Sequence, residues 1–286
     1  DFDFNGQIDE VWIFDEALDA GKVSGLYLAN DINATPGYAG FHYRFDGNLN
    51  DSGAAGNHGT ASGPAAVTTD PALIVKGSGA LALDGADDSF ITLPAPGTYS
   101  ATQPWSATWW ARRDGIGSNH GMVMGRADNT ADFIWLNDDF TGLRFRSSTS
   151  ATLDFTVAKD SELHHYALVA DGAGNLTLYV DGQPGETKSG DTSFIIDSIG
   201  KAYPTSSLHY NFQGTLDEVR VLPTRLTALQ VAEIYQEEKP VTPPSSVTKL
   251  RIIMLAGQSN ADGRAAGSGL PAALPTPQSG AAIYYR

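Results

Sequence analysis

One segment of this sequence occurs twice, and the repetition limits how the chain is divided into domains. Residues 4–27 (FNGQIDEVWIFDEALDAGKVSGLY) align without a gap with residues 212–235 (FQGTLDEVRVLPTRLTALQVAEIY). The positions that are identical in the two copies are, in the second, Phe212, Gly214, Asp217, Glu218, Val219, Leu226, Ala228, Val231 and Tyr235. Self-similarity of this kind indicates a structural unit that the chain uses more than once.

The repeated unit predicts a strand followed by a short helix. Apolar and polar residues alternate around DEV in both copies, and a helical pattern follows. In the second copy Thr227 and Gln230 have the spacing of a capping box, which begins a helix. If this unit closes a domain of about 200 residues, residues 1–30 are the end of a preceding domain and residues 37–238 form one complete domain.

The interior of residues 37–238 predicts an all-β fold. Short segments of alternating hydrophobicity are separated by turns rich in Gly, Asn and Asp, which is typical of an antiparallel β-sandwich. The clearest hairpin joins its two strands through DGAGN at residues 171–175.

Five segments in this region carry a family resemblance. They are YRFDGNLNDSGAAGNHGT (43–60), ALALDGADDSFITL (80–93), WSATWWARR (105–113), HHYALVADGAGNLTLYVDG (164–182) and FQGTLDEVRVL (212–222). In this order they resemble the blocks of a LamG-like jelly roll of the concanavalin A-like lectin/glucanase fold. The resemblance implies a jelly roll over residues 37–238. It leaves function open, because such domains serve as sugar-binding modules, adhesion modules and spacers.

The composition changes after this domain. Residues 239–248 (KPVTPPSSVT) contain three prolines and predict a semi-rigid linker. Residues 249–286 begin with an apolar run typical of a strand buried on both faces, and a Gly-x-Ser turn with Ser259 follows. A bare Gly-x-Ser is more often a turn than a site. The longer string IIMLAGQSNADGR, however, resembles the first block of sialate-O-acetylesterase-like carbohydrate esterases of the SGNH hydrolase superfamily.

This second resemblance implies a truncated α/β esterase start in which Ser259 is the nucleophile. The family also requires an Asp-x-x-His base, yet all six histidines precede the linker and no Asp follows Asp262. A serine without a base is a poor nucleophile near neutral pH. We therefore expect Ser259 to act only in a longer parent enzyme, and we expect these 286 residues to be inactive.

Asp46, Asp51 and Asp217 are the candidate ligands for calcium. The first two flank a loop rich in Asn and Gly, and such oxygen donors are those that Ca²⁺ prefers. The resemblance implies a structural calcium near the first and last strands, where Asp217 would come close. The alternative is that the loop aspartates form Asx turns.

Trp109, Trp135, Arg144 and Arg146 are the candidate carbohydrate-binding residues. Trp109 and Trp110 are adjacent, so on a strand they point to opposite faces. The resemblance assigns Trp110 to packing and leaves Trp109 as a platform for a sugar ring. Arg144 and Arg146 share one face and suit carboxylate or sulfate groups. The alternatives are ordinary sandwich packing for the tryptophans and pairing with aspartates for the arginines.

Charge and composition exclude several classes of partner. The formal charge of −15 argues against nucleic acids and anionic membranes, and no apolar stretch reaches the roughly 20 residues of a membrane span. We expect the chain to be part of a secreted, bacterial-type carbohydrate esterase. In it, the jelly roll binds polysaccharide and holds the esterase near its substrate. The rival interpretation is a structural or adhesive module that binds no glycan.

Overall fold

A computed structural model describes residues 40–240, apart from residues 54–55, 115–119, 138–141 and 204–209. The predicted segments 1–30 and 249–286, including Ser259, lie outside the described residues. The described part contains fifteen strands and one helix. They are β1 (Phe41–Tyr43), β2 (Thr60–Ser62), β3 (Ala66–Thr68), β4 (Ala80–Asp84), β5 (Phe90–Tyr99), β6 (Pro104–Arg113), β7 (Met122–Gly125), β8 (Phe133–Leu136), β9 (Gly142–Arg146), β10 (Thr152–Thr156), β11 (His164–Asp171), β12 (Asn175–Val180), β13 (Gln183–Ser189), β14 (Phe194–Ile199), β15 (Gln213–Leu222) and α1 (Ala228–Glu238).

The strands form two antiparallel sheets, which confirms the predicted all-β sandwich. In the described residues, one sheet has eight strands in the order β13-β12-β11-β6-β15-β4-β3, with β1 also paired to β15. The other has seven strands in the order β10-β9-β8-β7-β14-β5-β2. The DGAGN turn joins β11 to β12 as predicted.

The core lies between the sheets because apolar residues alternate along the strands. In β9, for example, Leu143 and Phe145 belong to the core, whereas Arg144 and Arg146 point away from it. The large side chain of Trp105 is fully buried in this core, and its indole N–H donates to the carbonyl oxygen of Thr192 at 2.8 Å. A buried indole that keeps a hydrogen-bond partner avoids the desolvation cost of an unpaired donor.

A β-bulge in β15 changes which residues face the core. Glu218 has a positive φ of 49°, and the pairing of β15 with β6 shifts between Asp217 and Arg220. The extra residue keeps Leu216 and Val219 both in the core, although they are three positions apart. Asp217 and Arg220 are thereby directed away from the core.

Helix α1 covers part of the outer face of the eight-stranded sheet. Its predicted capping box is confirmed: Thr227 accepts from the backbone N–H of Gln230, whose side chain accepts from the backbone N–H of Thr227. Val231 packs with Leu226 in a second apolar cluster against strands β11 and β12. Within the described residues, no helix has the length and apolar character needed to cross a bilayer.

Several residues shared by the two copies of the repeat have identifiable roles in the second copy. Gly214 has φ +138°, and a Cβ added there would lie 2.1 Å from the carbonyl oxygen of Arg112. Asp217 accepts the backbone N–H of Val75 at 2.9 Å, and Tyr235 stacks on Trp110 with ring centroids 5.5 Å apart. In the second copy, these shared residues therefore help to hold the closing strand and helix on the sheet.

Candidate functional site

The outer face of the seven-stranded sheet carries aromatic and charged side chains in two parallel rows. Phe133 and Trp135 alternate with core residues of β8, so both point outward. Across the strand pair β8–β9, Trp135 lies opposite Arg144 and Phe133 opposite Arg146. Side chains opposite each other on one face have Cβ atoms about 4.5–5.5 Å apart. The face thus presents two aromatic residues beside two guanidinium groups.

Two tyrosines complete what we call the aromatic cluster, which consists of Phe133, Trp135, Tyr203 and Tyr210. The ring centroids of Trp135 and Tyr210 are 4.8 Å apart, and those of Phe133 and Tyr203 are 6.3 Å apart. Tyr203 and Tyr210 meet each other at 6.0 Å with perpendicular rings. Trp135 is only 6% exposed, whereas both tyrosines are half-buried. The tyrosines are therefore the more exposed members of the cluster.

The backbone of Tyr203 is strained. Its φ is +89°, a region that bulky L-residues rarely adopt. The backbone N–H of Tyr203 donates to the carbonyl oxygen of Arg126 at 3.1 Å, which helps to hold this conformation. Strain of this kind costs about 1–3 kcal/mol and is concentrated at functional sites.

An ion pair extends the Trp135 row to the next strand. Arg144 and Asp154 are cross-strand partners in β9 and β10. The guanidinium donates twice to the carboxylate, from Nε to Oδ1 at 2.7 Å and from Nη2 to Oδ2 at 2.9 Å. The side chain of Asp154 is 34% exposed. A bidentate pair fixes both side chains and keeps a polar group at the surface beside the aromatic cluster.

The second row ends differently. The guanidinium carbon of Arg146 lies 5.9 Å from the ring centroid of Phe133, within the range of a cation–π contact. The predicted sharing of one face by Arg144 and Arg146 is confirmed, and both lie beside Trp135 and Phe133. A role of Trp135 and the two arginines in sugar binding stays a prediction.

A buried aspartate supports this face from one end. Asp132 is 1% exposed and accepts hydrogen bonds from the hydroxyl of Ser148 and, at 2.9 Å, from the backbone N–H of Ile195. Its second oxygen lies 3.7 Å from Nη1 of Arg126. These bonds tie the start of β8 to β14 and to the turn after β9.

The prediction for Trp109 is wrong. Trp109 is 0% exposed in the core between the sheets and stacks on Tyr166 with ring centroids 5.6 Å apart. Trp110 is the outward residue of the pair, but α1 covers it, and its indole N–H donates to Glu238 at 2.9 Å. A fully buried indole has no face to offer to a sugar ring.

The predicted calcium ligands are not assembled into one site. Within the described residues, Asp46, Asp51 and Asp217 do not bring one carboxylate oxygen each within 4.8 Å of the other two. Each accepts from backbone N–H groups nearby: Asp46 from Ser78, Asp51 from His42, and Asp217 from Val75. Asp51 and Asn57 also form a hydrogen bond across the loop, at 3.0 Å. Asp51 also accepts from the backbone N–H of Gly53, two residues further on, and this bond is the Asx turn of the alternative interpretation. Calcium binding at one or two of these residues stays a prediction.

The eight-stranded sheet carries a buried polar cluster that the sequence did not suggest. Within the described residues, the side chains of His42, Glu218 and Glu238 form the one acid and histidine set whose ligand atoms all lie within 4.8 Å of each other. Nη2 of Arg220 lies 2.8, 3.0 and 2.5 Å from Nε2 of His42, Oε2 of Glu218 and Oε1 of Glu238. The guanidinium therefore occupies the place that a metal ion would need.

Arg220 links the two carboxylates of this cluster. Nη2 of Arg220 has two hydrogens, and the two carboxylates accept them. Nε2 of His42 is hydrogen-bonded to Oε2 of Glu218, at 2.5 Å. Burial lowers the pKa of His42 well below its usual value, and burial raises the pKa of both Glu218 and Glu238, against the effect of Arg220. This arrangement fastens α1 to the sheet.

The two adjacent histidines point to opposite faces, as predicted. Nδ1 of His164 donates to Oδ2 of Asp181 at 2.8 Å, and that hydrogen bond raises the pKa of His164. His165 lies between Trp110 and Tyr235, and neither of its ring nitrogens has a hydrogen-bond partner among the residues that the structure describes. Burial lowers the pKa of His165 to about 3. Both histidines therefore have structural surroundings, and they do not converge on a common site.

Sequence reasoning missed Tyr203 and Tyr210. The signal available was a pair of tyrosines in the stretch AYPTSSLHYNF (202–212), which has no regular alternation. Loop aromatics without a packing pattern are candidates for binding. Only their ring contacts in the folded chain show that they lie beside Phe133 and Trp135.

Comparison with solved structures shows the same architecture in binding domains. Domain 4 of an extracellular GH43 arabinanase from Geobacillus stearothermophilus, solved in complex with arabinotriose, has a TM-score of 0.53 at 23% identity. The match covers 68% of this chain and 97% of that domain. The binding domain of Paraclostridial Mosquitocidal Protein 1 has a TM-score of 0.53 at 12% identity, and that of botulinum neurotoxin serotype G 0.52 at 14%. These matches cover 70% and 69% of this chain, which spans about half of either toxin domain. At these identities the likeness shows a common fold.

The sequence supports the same assignment. No curated protein matches the chain. The family model described as the concanavalin A-like lectin/glucanases superfamily matches residues 84–232, which is just over half of the 286 residues. The match runs from the end of β4 into α1 and so includes β8, β9 and β10. The chain belongs to the concanavalin A-like lectin/glucanases superfamily.

Proposed function

We propose that residues 40–240 bind an oligosaccharide on the outer face of the seven-stranded sheet. The observation that carries the proposal is the aromatic cluster, in which Tyr203 is held in a strained conformation beside the half-buried Tyr210. Aromatic rings cover the apolar face of a sugar, while neighbouring charged groups hydrogen-bond its hydroxyls. Arg144 and Asp154 supply such groups on the adjacent strands.

The arabinanase domain supports this proposal, because it has the same fold and was solved with arabinotriose bound. That extracellular relative also supports a secreted location. The toxin binding domains leave the rival function, contact with a protein or a cell surface, as the outcome to be excluded.

The test replaces two residues of positive φ by glycine, one inside the aromatic cluster and one outside it, and compares polysaccharide binding and stability. Replacing Tyr203 by Gly removes the ring but relieves the backbone, so we expect the free energy of unfolding to stay within about 1 kcal/mol of wild type. Binding to soluble polysaccharide, measured by affinity electrophoresis and titration calorimetry, should weaken about tenfold or more. Ser150→Gly is the matched control: Ser150 is exposed, also has a positive φ of 67°, and lies outside the cluster.

Binding that is unchanged in Tyr203→Gly would contradict the site. Free migration of the wild-type chain through gels of every polysaccharide tested would contradict glycan binding altogether and favour the adhesive or spacer function.

The esterase part of the proposal rests on sequence resemblance alone. We propose that the protein joins this glycan-binding domain to an SGNH-type carbohydrate esterase with Ser259 as nucleophile, so that binding keeps the esterase near acetylated polysaccharide. Since the chain has no histidine after His209, we expect no hydrolysis of p-nitrophenyl acetate above background. Turnover that is lost in Ser259→Ala would overturn that expectation.

Calcium binding near Asp46, Asp51 or Asp217 is a separate proposal, supported by the oxygen-rich sequence of the 46–57 loop. A bound ion stabilises the folded state by mass action. We therefore expect a higher Tm in calcium chloride than in EDTA and a smaller difference in Asp51→Asn. Equal Tm values in the two buffers would exclude a structural calcium.

A further inference from the structure

Two of the three arginines beside the aromatic cluster are paired with carboxylates. Asp154 accepts hydrogen bonds from both Nε and Nη2 of Arg144. Nη1 of Arg126 lies 3.7 Å from Oδ2 of Asp132. Each pair sums to zero formal charge. The positive charges of Arg126 and Arg144 are thus each accompanied by a carboxylate.

Asp154 is the carboxylate that a ligand would meet. Its side chain is 34% exposed, whereas Asp132 is 1% exposed. Asp154 stands at the outer end of the row that begins with Tyr210 and Trp135, on the last strand of the sheet. A polymer that lies along this row passes directly over it.

Arg146 is the cation of this face with no carboxylate within 4 Å among the described residues. It lies over the ring of Phe133 instead, and its Nε is buried without a hydrogen-bond partner. If the face bound an acidic sugar, Arg146 would be the residue to pair with it. Binding of an acidic polymer to this face would therefore depend on Arg146.

The side chains of Arg144 and Asp154 are suited to hydrogen-bond sugar hydroxyl groups. A hydroxyl is both a donor and an acceptor, so a carboxylate beside a guanidinium can satisfy neighbouring hydroxyls of one ring. A uronate or a sulfate would bring its own negative charge towards Asp154 and towards a chain of formal charge −15. Like charges at an interface suppress the wrong partner and slow its approach.

We propose that the ligand of this face is an uncharged oligosaccharide, and that Asp154 is the specificity-determining residue that excludes polymers of uronic acids or sulfated sugars. This inference rests on the proposed function, since it concerns the same site. It goes further in choosing between neutral and acidic polysaccharides, which the arginines by themselves leave open.

Affinity electrophoresis of the full chain tests the inference, with linear arabinan, xylan and galactomannan as neutral probes and polygalacturonate as the acidic one. We expect at least one neutral polymer to retard the wild-type chain and polygalacturonate to leave it free. Asp154→Asn keeps an oxygen for Arg144 but removes the charge. We expect the ratio of its affinity for polygalacturonate to its affinity for the neutral polymer to rise about tenfold over wild type, because the repelling charge is lost while neutral binding loses at most the hydrogen bonds of one carboxylate oxygen.

Asp70→Asn is the matched control, because Asp70 is exposed in the 69–73 turn and its replacement changes the net charge by the same amount. Equal behaviour of Asp154→Asn and Asp70→Asn in the polygalacturonate gel would overturn the role of Asp154. Wild-type retardation by polygalacturonate that disappears in Arg146→Gln would overturn the preference for neutral sugars while leaving the binding face intact. Retardation by no polymer would overturn the proposed function itself.

Discussion

Replacing Arg220 by Met should detach helix α1 from the sheet at its C-terminal end. Met keeps most of the length and apolar bulk of the arginine but leaves Glu218 and Glu238 without their shared cation. Both carboxylates are only 3% exposed, and Arg220 is 11% exposed, so water cannot easily replace the lost contacts. The variant therefore contains two buried carboxylates facing one neutral histidine.

The magnitude follows from the bonds that are lost. Nη2 of Arg220 donates to Glu218 at 3.0 Å and to Glu238 at 2.5 Å. Hydrogen bonds to charged groups contribute about 1.5–3 kcal/mol each, and removing one partner of a buried ion pair costs about 3–5 kcal/mol. We expect a loss of about 4 kcal/mol in the free energy of unfolding, a large part of the roughly 5–15 kcal/mol typical of a domain.

Urea denaturation followed by tryptophan fluorescence measures this loss. Arg112→Met is the control, because its ion pair with Asp114 spans 3.6 Å between side chains that are 38% and 52% exposed. An exposed pair contributes about 0–1 kcal/mol. A loss in Arg220→Met no larger than that of the control would refute the argument that the buried cluster holds the helix.

The pH dependence of the same variant separates charge from packing. Burial raises the pKa values of Glu218 and Glu238, and Arg220 opposes that rise. Without Arg220 both pKa values rise further. A group whose pKa is raised by folding contributes its stability below the unfolded pKa and loses it as the pH increases. The variant should therefore be destabilised more at pH 8 than at pH 5, and a loss that is independent of pH would indicate packing alone.

Three further predictions concern backbone strain and the histidines. Gly214→Ala should cost about 2 kcal/mol or more, since the new Cβ would lie 2.1 Å from a carbonyl oxygen, whereas Gly47→Ala, in open space at φ +75°, should cost about 1 kcal/mol. His165→Phe should stabilise the domain by about 1 kcal/mol at pH 8 and by about 2 kcal/mol more at pH 5, because wild-type His165, with a pKa of about 3, disfavours folding below its unfolded pKa. A loss of stability at both pH values would mean that water satisfies its ring nitrogens. His164→Gln should cost more at pH 5.5 than at pH 8.5, because the hydrogen bond to Asp181 raises the pKa of His164 and its contribution is lost as the pH rises. Urea denaturation at each pH measures both effects, and a larger loss at pH 8.5 would contradict the assigned hydrogen bond.

Local pattern was sufficient for much of the fold. The alternation of apolar residues predicted the strands and the sharing of one face by Arg144 and Arg146, because side chains of a strand alternate whatever the strand packs against. The capping box at Thr227 was predicted for a similar reason, since its hydrogen bonds close within three residues. Features of this kind depend on neighbours in the chain.

The failure at Trp109 shows where local pattern stops. Alternation correctly separates Trp109 from Trp110, but both faces of strand β6 are covered, one by the opposite sheet and the other by α1. Whether the outward Trp110 is available to a ligand depends on α1, which lies more than 100 residues further along the chain. No period in the WSATWWARR segment contains that information.

The sequence by itself determined the all-β class, the strand and helix that close the domain, and the outward direction of the two arginines. Only the tertiary structure decided the site. The strand order places Asp154 beside Arg144, and the return of the chain after β14 sets Tyr203 and Tyr210 on the rings of β8. The physical reason is that secondary structure is selected by interactions within a few residues. A binding face is assembled instead from side chains whose separation in the chain is unrelated to their distance in space.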